Sequence, residues 1–325
     1  MTRQKISVIG AGNVGATVAQ FLAFKDLGDI YLFDVIPGIP EGKALDIQEG
    51  LPHFGVDAKV KGFTTTSGDT YSNLKGSDVI VITAGLARKP GMSRDDLLFK
   101  NLEIMKYVAN NVKKYASDAM VVIVSNPADT MAYAFQKVSG MPPNHIIGLG
   151  GSLDSSRFRT FIADALNVSV KDVNAFVIGG HGDDMVPFIR YSSVSGIPIE
   201  KLLSKEKIDE IVHRTRFGGG EIVDLLKSGS AYYAPGISIT AMVESIVRDK
   251  NRVIPCAAYI SGGHAKHYNV ENVFIGVPVR IGSNCVEEIY DIDFNADEKA
   301  LWEKTVVSVK SNCKKVDDFF KSGAN

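Results

Sequence analysis

The chain has 325 residues, 45% of them apolar and 22% charged, and a formal net charge of −1. That composition describes an ordinary folded chain with length for one large or two medium domains, and the lack of a basic excess argues against a nucleic-acid partner. The longest apolar runs are of strand length, far below the ~20 residues of a membrane span, and the three scattered cysteines (Cys256, Cys285, Cys313) make neither a disulfide framework nor a zinc spacing.

Met1-Thr-Arg-Gln-Lys5 runs into a strand within a few residues, which leaves no room for a signal peptide and favours a reducing cytoplasm. The first predicted strand, Lys5 to Gly10, leads into Gly10-Ala-Gly12-Asn13-Val14-Gly15 and a helix with Val14, Val18, Phe21 and Leu22 at 3.6-residue spacing. A second apolar run, Ile30 to Phe33, ends in Asp34. Each part has a task in dinucleotide binding. Gly10 permits the tight turn, Gly12 lets backbone approach a pyrophosphate, and Gly15 lets the helix pack close to the strand. Free amides at the helix start attract the pyrophosphate. Asp34 accepts from ribose hydroxyls and repels a 2′-phosphate, which favours NAD over NADP. A structural glycine turn is the alternative for the glycines alone; the flanking strand, helix and acid speak for the dinucleotide.

Further βα units follow, with strands expected near 59–62, 78–83 and 119–125 and helices near 41–49 and 94–113. That alternation predicts a parallel, doubly wound α/β sheet. Between the strand ending at Thr83 and the helix lies Gly85-Leu-Ala-Arg88-Lys-Pro-Gly-Met-Ser93-Arg94. Two arginines so close repel each other unless an anion is bound, so Arg88 and Arg94 suggest a site for a small, doubly charged acid. Ser93 and Asp96 have capping-box spacing, which puts Arg94 at the first helical position. The run Val121 to Ser125 ends in Asn126-Pro127, at a strand's carboxyl end where such sheets bind ligands. Asn126 there either meets the nicotinamide and a substrate oxygen or simply starts a turn.

A boundary near residue 146 is expected, with an NAD-binding domain over 1–146 and an α+β substrate domain over 147–325. In the second part, Gly148 to Arg159 opens a helix reaching about Leu166, and Asp154 and Arg157 project from one face of it. Alone they read as a surface ion pair. Val173 to Ile178 reads as a strand, followed by Gly179-Gly-His181-Gly-Asp183, where His181 either serves a turn or faces a cleft. Together these residues suit hydride transfer to a carbonyl: His181 as proton donor, Asp154 to orient it, Arg94 to polarise the carbonyl and Arg157 to pin a carboxylate. Arg88 then remains for a second carboxylate.

In order and spacing, Gly10 to Gly15, Asp34, Arg88 to Arg94, Ser125-Asn-Pro127, Leu153 to Arg159 and Val177 to Asp183 resemble malate dehydrogenases of the lactate-dehydrogenase-like type, nearly end to end. The resemblance implies a Rossmann domain, NAD as cofactor, and His181 as proton donor and acceptor paired with Asp154. It implies that Arg157 grips the carboxylate beside the reacting carbon, that Arg94 polarises the carbonyl and that Arg88 binds the distal carboxylate. Asn126 would contact substrate and nicotinamide, and Asn13, Val14 and Asn101 would join Gly10, Gly12, Gly15 and Asp34 around the cofactor. A loop over about residues 85–96 would close over the substrate. Lactate-specific relatives carry a neutral residue where Arg88 stands and a Thr where Ala231 stands, so a small dicarboxylic 2-hydroxy or 2-oxo acid is the implied substrate, and a homodimer or homotetramer the implied assembly. Ser152 stands where many relatives have Val, a matter of packing. The alternatives are a lactate or other 2-hydroxyacid dehydrogenase, a non-catalytic NAD-binding regulator, and an NAD-dependent glycosidase, which would need a metal.

Three weaker signals read as structural. His264-Ala-Lys-His267 falls in a connection between strands near 252–260 and 273–281 and is expected to be solvated loop. Phe217-Gly-Gly-Gly220 is expected to break a helix. Residues 296–320 form an amphipathic closing helix packed through Leu301, Val306, Val309, Cys313, Val316 and Phe320.

Overall fold

The computed structural model describes residues 3–66, 68–86 and 93–322, with the side chain of Arg94 also outside the description. Its first half alternates strand and helix: β1 (Lys5–Ile9), α1 (Asn13–Phe24), β2 (Asp29–Asp34), α2 (Ile39–Gly50), β3 (Val60–Thr64), β4 (Val79–Ile82), α3 (Arg94–Tyr115), β5 (Met120–Ile123), α4 (Ala128–Ser139) and β6 (Ile146–Gly148). The second half continues with α5 (Gly151–Leu166), β7 (Val173–Asn174), β8 (Val177–Ile178), β9 (Val186–Pro187), β10 (Ser193–Val194), β11 (Ile197–Pro198), α6 (Lys205–Leu226), α7 (Tyr233–Val247), β12 (Arg252–Ile260), α8 (Gly262–Tyr268), β13 (Val273–Gly282), β14 (Cys285–Ile289) and α9 (Ala296–Lys321).

Strands β3-β2-β1-β4-β5-β6 pair in parallel, the doubly wound order expected from the alternating pattern. Such strands are buried on both faces, which is why they read as unbroken apolar runs. Alternate residues feed two cores. On β4, Val79 and Val81 join Val18 and Leu22 of α1 and Ile239 and Val243 of α7. Ile80 and Ile82 join Leu102 and Met105 of α3, Phe135 of α4 and Val316 of α9 on the other face. The sheet does not stop at β6. Ala257 of β12 pairs with Gly148, and β12, β13 and β14 continue the sheet antiparallel, so one nine-stranded sheet joins the two halves. No helix among the described residues is long and apolar enough to cross a membrane.

Most predicted elements fall within a few residues of their positions, and the Ser93–Asp96 capping box forms as expected. Three expectations fail. Residues 173–178 are two short strands, because Val173 and Asn174 pair with β10 while Val177 and Ile178 pair with β9. The Phe217-Gly-Gly-Gly220 segment breaks nothing, since α6 runs straight through it. Glycine lowers helix propensity by ~1 kcal/mol, but tertiary packing outweighs that here. A Cβ on Gly218 would come within 3.4 Å of Arg157 Cδ and one on Gly219 within 3.4 Å of Arg157 Nη2, so the run makes room for α5. His264 and His267 lie on α8 and not in a loop; His264 Nδ1 meets Asp291 Oδ1 at 2.7 Å and His267 Nε2 donates to the Ile292 carbonyl at 2.9 Å, pinning the chain after β14.

Candidate active site

The carboxyl ends of β1, β2 and β4 border a cavity of about 560 Å³ lined by Gly10, Gly12, Asp34, Thr83 and Gly85, among others. Gly10 has φ +106°, and a Cβ there would meet Thr83 Oγ1 at 2.6 Å and Ala84 N at 2.7 Å. Gly15 lies so close to the turn that a Cβ would sit 1.8 Å from the Gly10 carbonyl oxygen, whereas Gly12 faces open space. Gly12 caps α1 without a side chain, and no acid stands in the helix's first turn. The amides of that end and its dipole are therefore available to an anion, and the cradle suits a dinucleotide pyrophosphate. Gly15→Ala is expected to cost at least ~1–3 kcal/mol by overpacking and to weaken NADH binding severely. Denaturant melts and fluorescence titration check it, and parent-like values in both would contradict the packing argument.

Asp34 lines the cavity and also braces the turn. Its Oδ2 accepts from Ala11 N at 2.6 Å and its Oδ1 from Ile36 N at 3.0 Å. Lys43 of α2 donates to the Ala11 carbonyl at 2.7 Å, a contact that no pattern in the sequence signals. Asn13 is exposed and Val14 packs against the core. Asn101 is buried; it accepts from Leu86 N at 2.7 Å and donates to the carbonyls of Leu86 and Asn126 at 3.3 and 2.9 Å. Its amide thus ties the chain after β4 to the turn after β5. Asn126 itself is exposed at that turn and precedes a cis bond to Pro127. Arg88 lies outside the described residues. Arg94 opens α3, held by the capping box.

The second cluster forms where α5 starts. Asp154 lies in the first turn of α5, 1% exposed, where the helix dipole favours a negative charge. Its two oxygens hold two partners: Oδ2 meets His181 Nδ1 at 2.8 Å and Oδ1 accepts from Arg157 Nη1 at 3.1 Å. An ionised carboxylate only accepts, so Nδ1 carries a proton and Nε2 is the nitrogen left for a substrate. The His181 side chain keeps 21% exposure and that of Arg157 14%, so both still reach solvent. The charge of Asp154 raises the His181 pKa above the ordinary histidine range; burial opposes this, Asp129 adds to it and Arg157 subtracts from it. The structure therefore brings together His181, Asp154 and Arg157, which as isolated motifs read as a turn histidine and a surface pair.

The residues 4–148 match the lactate/malate dehydrogenase NAD binding domain, and residues 151–320 match the lactate/malate dehydrogenase alpha/beta C-terminal domain. The chain belongs to the lactate/malate dehydrogenase family. Its first part is an NAD-binding domain, and NAD is the cofactor this cradle fits. A malate dehydrogenase of Thermoplasma volcanium is 71% identical over 321 residues, 99% of each chain. The apo malate dehydrogenase of Picrophilus torridus is 67% identical with a TM-score of 0.98, over 99% of this chain and 100% of that one. The lactate dehydrogenase of Cryptosporidium parvum, solved with lactic acid and nicotinamide adenine dinucleotide, is 43% identical with a TM-score of 0.91, over 98% and 99% of the two chains. The family scaffold thus carries both substrates, and substrate choice rests on individual side chains.

Proposed function

We propose that this enzyme interconverts (S)-malate and oxaloacetate with NAD. The clamp on Asp154 supports the 2-oxo acid chemistry, one buried carboxylate orienting His181 from one oxygen and Arg157 from the other, while the choice of a dicarboxylic acid rests on Arg88. Bound NADH supplies the hydride that reduces the 2-oxo carbon. His181 gives the proton from Nε2 to the forming alkoxide, and Asp154 stabilises the imidazolium before transfer. Arg157 pins the carboxylate beside the reacting carbon, with donors left over after its bond to Asp154. Arg94 polarises the carbonyl, Arg88 pairs with the distal carboxylate, and Asn126 meets substrate and nicotinamide. Gly10, Gly12 and the start of α1 hold the pyrophosphate, with Asn13 and Val14 beside it. Asp34 takes the ribose, which disfavours NADP. The same reading carries a cytoplasmic location, a homodimer or homotetramer, and a division into cofactor and substrate domains near residue 146.

The test is (S)-malate-dependent reduction of NAD, followed by NADH absorbance, with NADP in parallel. Turnover with NAD well above NADP is expected; no NADH formation, or a preference for NADP, would sink the reading. A pH dependence follows from the raised His181 pKa. Carbonyl reduction needs the protonated imidazole, so kcat/KM for oxaloacetate holds above the ordinary histidine range and falls as pH rises through the raised value. Oxidation of malate needs the neutral form and rises across the same range. Profiles with the break at or below ~6.5 would contradict the Asp154 coupling.

A further inference from the structure

Among the described residues, one buried acid outside this scheme keeps a carboxylate oxygen without a partner, whereas buried Glu244 and Glu298 are ion-paired with Lys25 and Arg190. Asp129 stands in the first turn of α4, directly after Asn126-Pro127, and is 6% exposed. An acid there commonly serves its own helix, facing water. This one turns inward. Its Oδ2 accepts from the main-chain N–H of His181 at 3.1 Å, and its Oδ1 is buried with no hydrogen-bond partner among the described residues. The neighbouring Gly180 N–H donates to Thr305 Oγ1 of α9 at 2.8 Å, and a Cβ on Gly180 would fall 2.9 Å from that oxygen and 3.7 Å from Asp129 Oδ2. The turn that carries His181 is thereby held from the cofactor half by Asp129 and from the closing helix by Thr305.

We propose that Asp129 is a positioning residue for the reaction: it fixes His181 through its main chain and sets a second buried carboxylate beside the one that orients the ring. The inference rests on the function proposed above. Among the described residues His181 and Asp154 act on it, Cys313 of α9 lies beside it, and Arg157 acts on the same histidine. Burial pushes the Cys313 thiol up to about 12, so it stays neutral. Burial also pushes Asp129 itself up to about 6, so it is charged over the range in which His181 releases its proton. There its charge favours the imidazolium, as does that of Asp154, while Arg157 opposes both.

Oxaloacetate reduction by the parent, Asp129→Ala and Asp129→Asn across pH tests this, alongside thermal melts. A parent without oxaloacetate turnover fails the functional reading before any variant is compared. With an active parent, Asp129→Ala is expected to lower kcat about tenfold or more, with the NADH KM within roughly twofold. Asp129→Asn keeps an acceptor oxygen and is expected to recover most of kcat. Its alkaline break moves to lower pH by roughly 0.5–1 pH unit, and its profile converges with the parent's below about pH 6. A break at the parent's pH in Asp129→Asn, or a parent-like kcat in Asp129→Ala, overturns the proposal. Should the alanine variant not fold, the asparagine profile alone decides.

Discussion

Replacing His181 with asparagine is expected to lower kcat for oxaloacetate reduction by roughly 10²–10⁴-fold while leaving the NADH dissociation constant nearly unchanged. Asparagine approximates the size of the inner imidazole and can still offer an N–H to Asp154. It cannot carry a transferable proton. Asp154 keeps its bond from Arg157 at 3.1 Å, so the buried carboxylate is not orphaned and the start of α5 has no reason to loosen. The cofactor cradle at Gly10, Gly12 and Gly15 belongs to the β1–α1 turn and lies on other elements. Stopped-flow turnover and fluorescence titration separate the two effects. A kcat within tenfold of the parent would remove His181 from the proton-transfer role, and parallel loss of NADH binding would make it structural.

Arg88→Gln is expected to invert the substrate preference. A charge-assisted, bidentate pair with the distal carboxylate contributes ~1.5–3 kcal/mol or more, which is about 10–150-fold in kcat/KM. With pyruvate the same guanidinium would face a methyl group, and a desolvated charge without a partner costs several kcal/mol unless water reaches it. Glutamine removes both effects, so oxaloacetate use falls while pyruvate use rises. Steady-state kcat/KM for the two acids checks this. If both fell together, Arg88 would be serving the fold and not the choice of acid.

Much of this was legible because the signals were local. The glycines of the β1–α1 turn, Asp34 at the end of β2 and the Ser93–Asp96 box each act within a single βα or βαβ unit, where spacing reports geometry directly. The site depended on order along the chain: His181 and Asp154 are 27 residues apart, and they were joined by the chemistry they share and by the resemblance of the whole pattern to a family, not by local spacing. What stayed hidden has its cause elsewhere in the fold. The glycines of α6 look like a helix break until Arg157 of α5 is packed against them. Residues 173–178 look like one strand until their two halves find different partners. Asp129 looks like a routine helix-start acid, because the N–H it receives belongs to a residue 52 positions on. Asn101 was expected at the cofactor, and nothing in its spacing signals that its side chain also braces the main chain of Leu86 and Asn126.

The fold cannot make the substrate assignment, because malate and lactate dehydrogenases alike share that fold with this chain. The most direct measurement is the ratio of kcat/KM for oxaloacetate to that for pyruvate, with NADH, in the unaltered enzyme. A ratio of at least ~100 is predicted from the pairing of Arg88 with a second carboxylate. A ratio at or below one would contradict it.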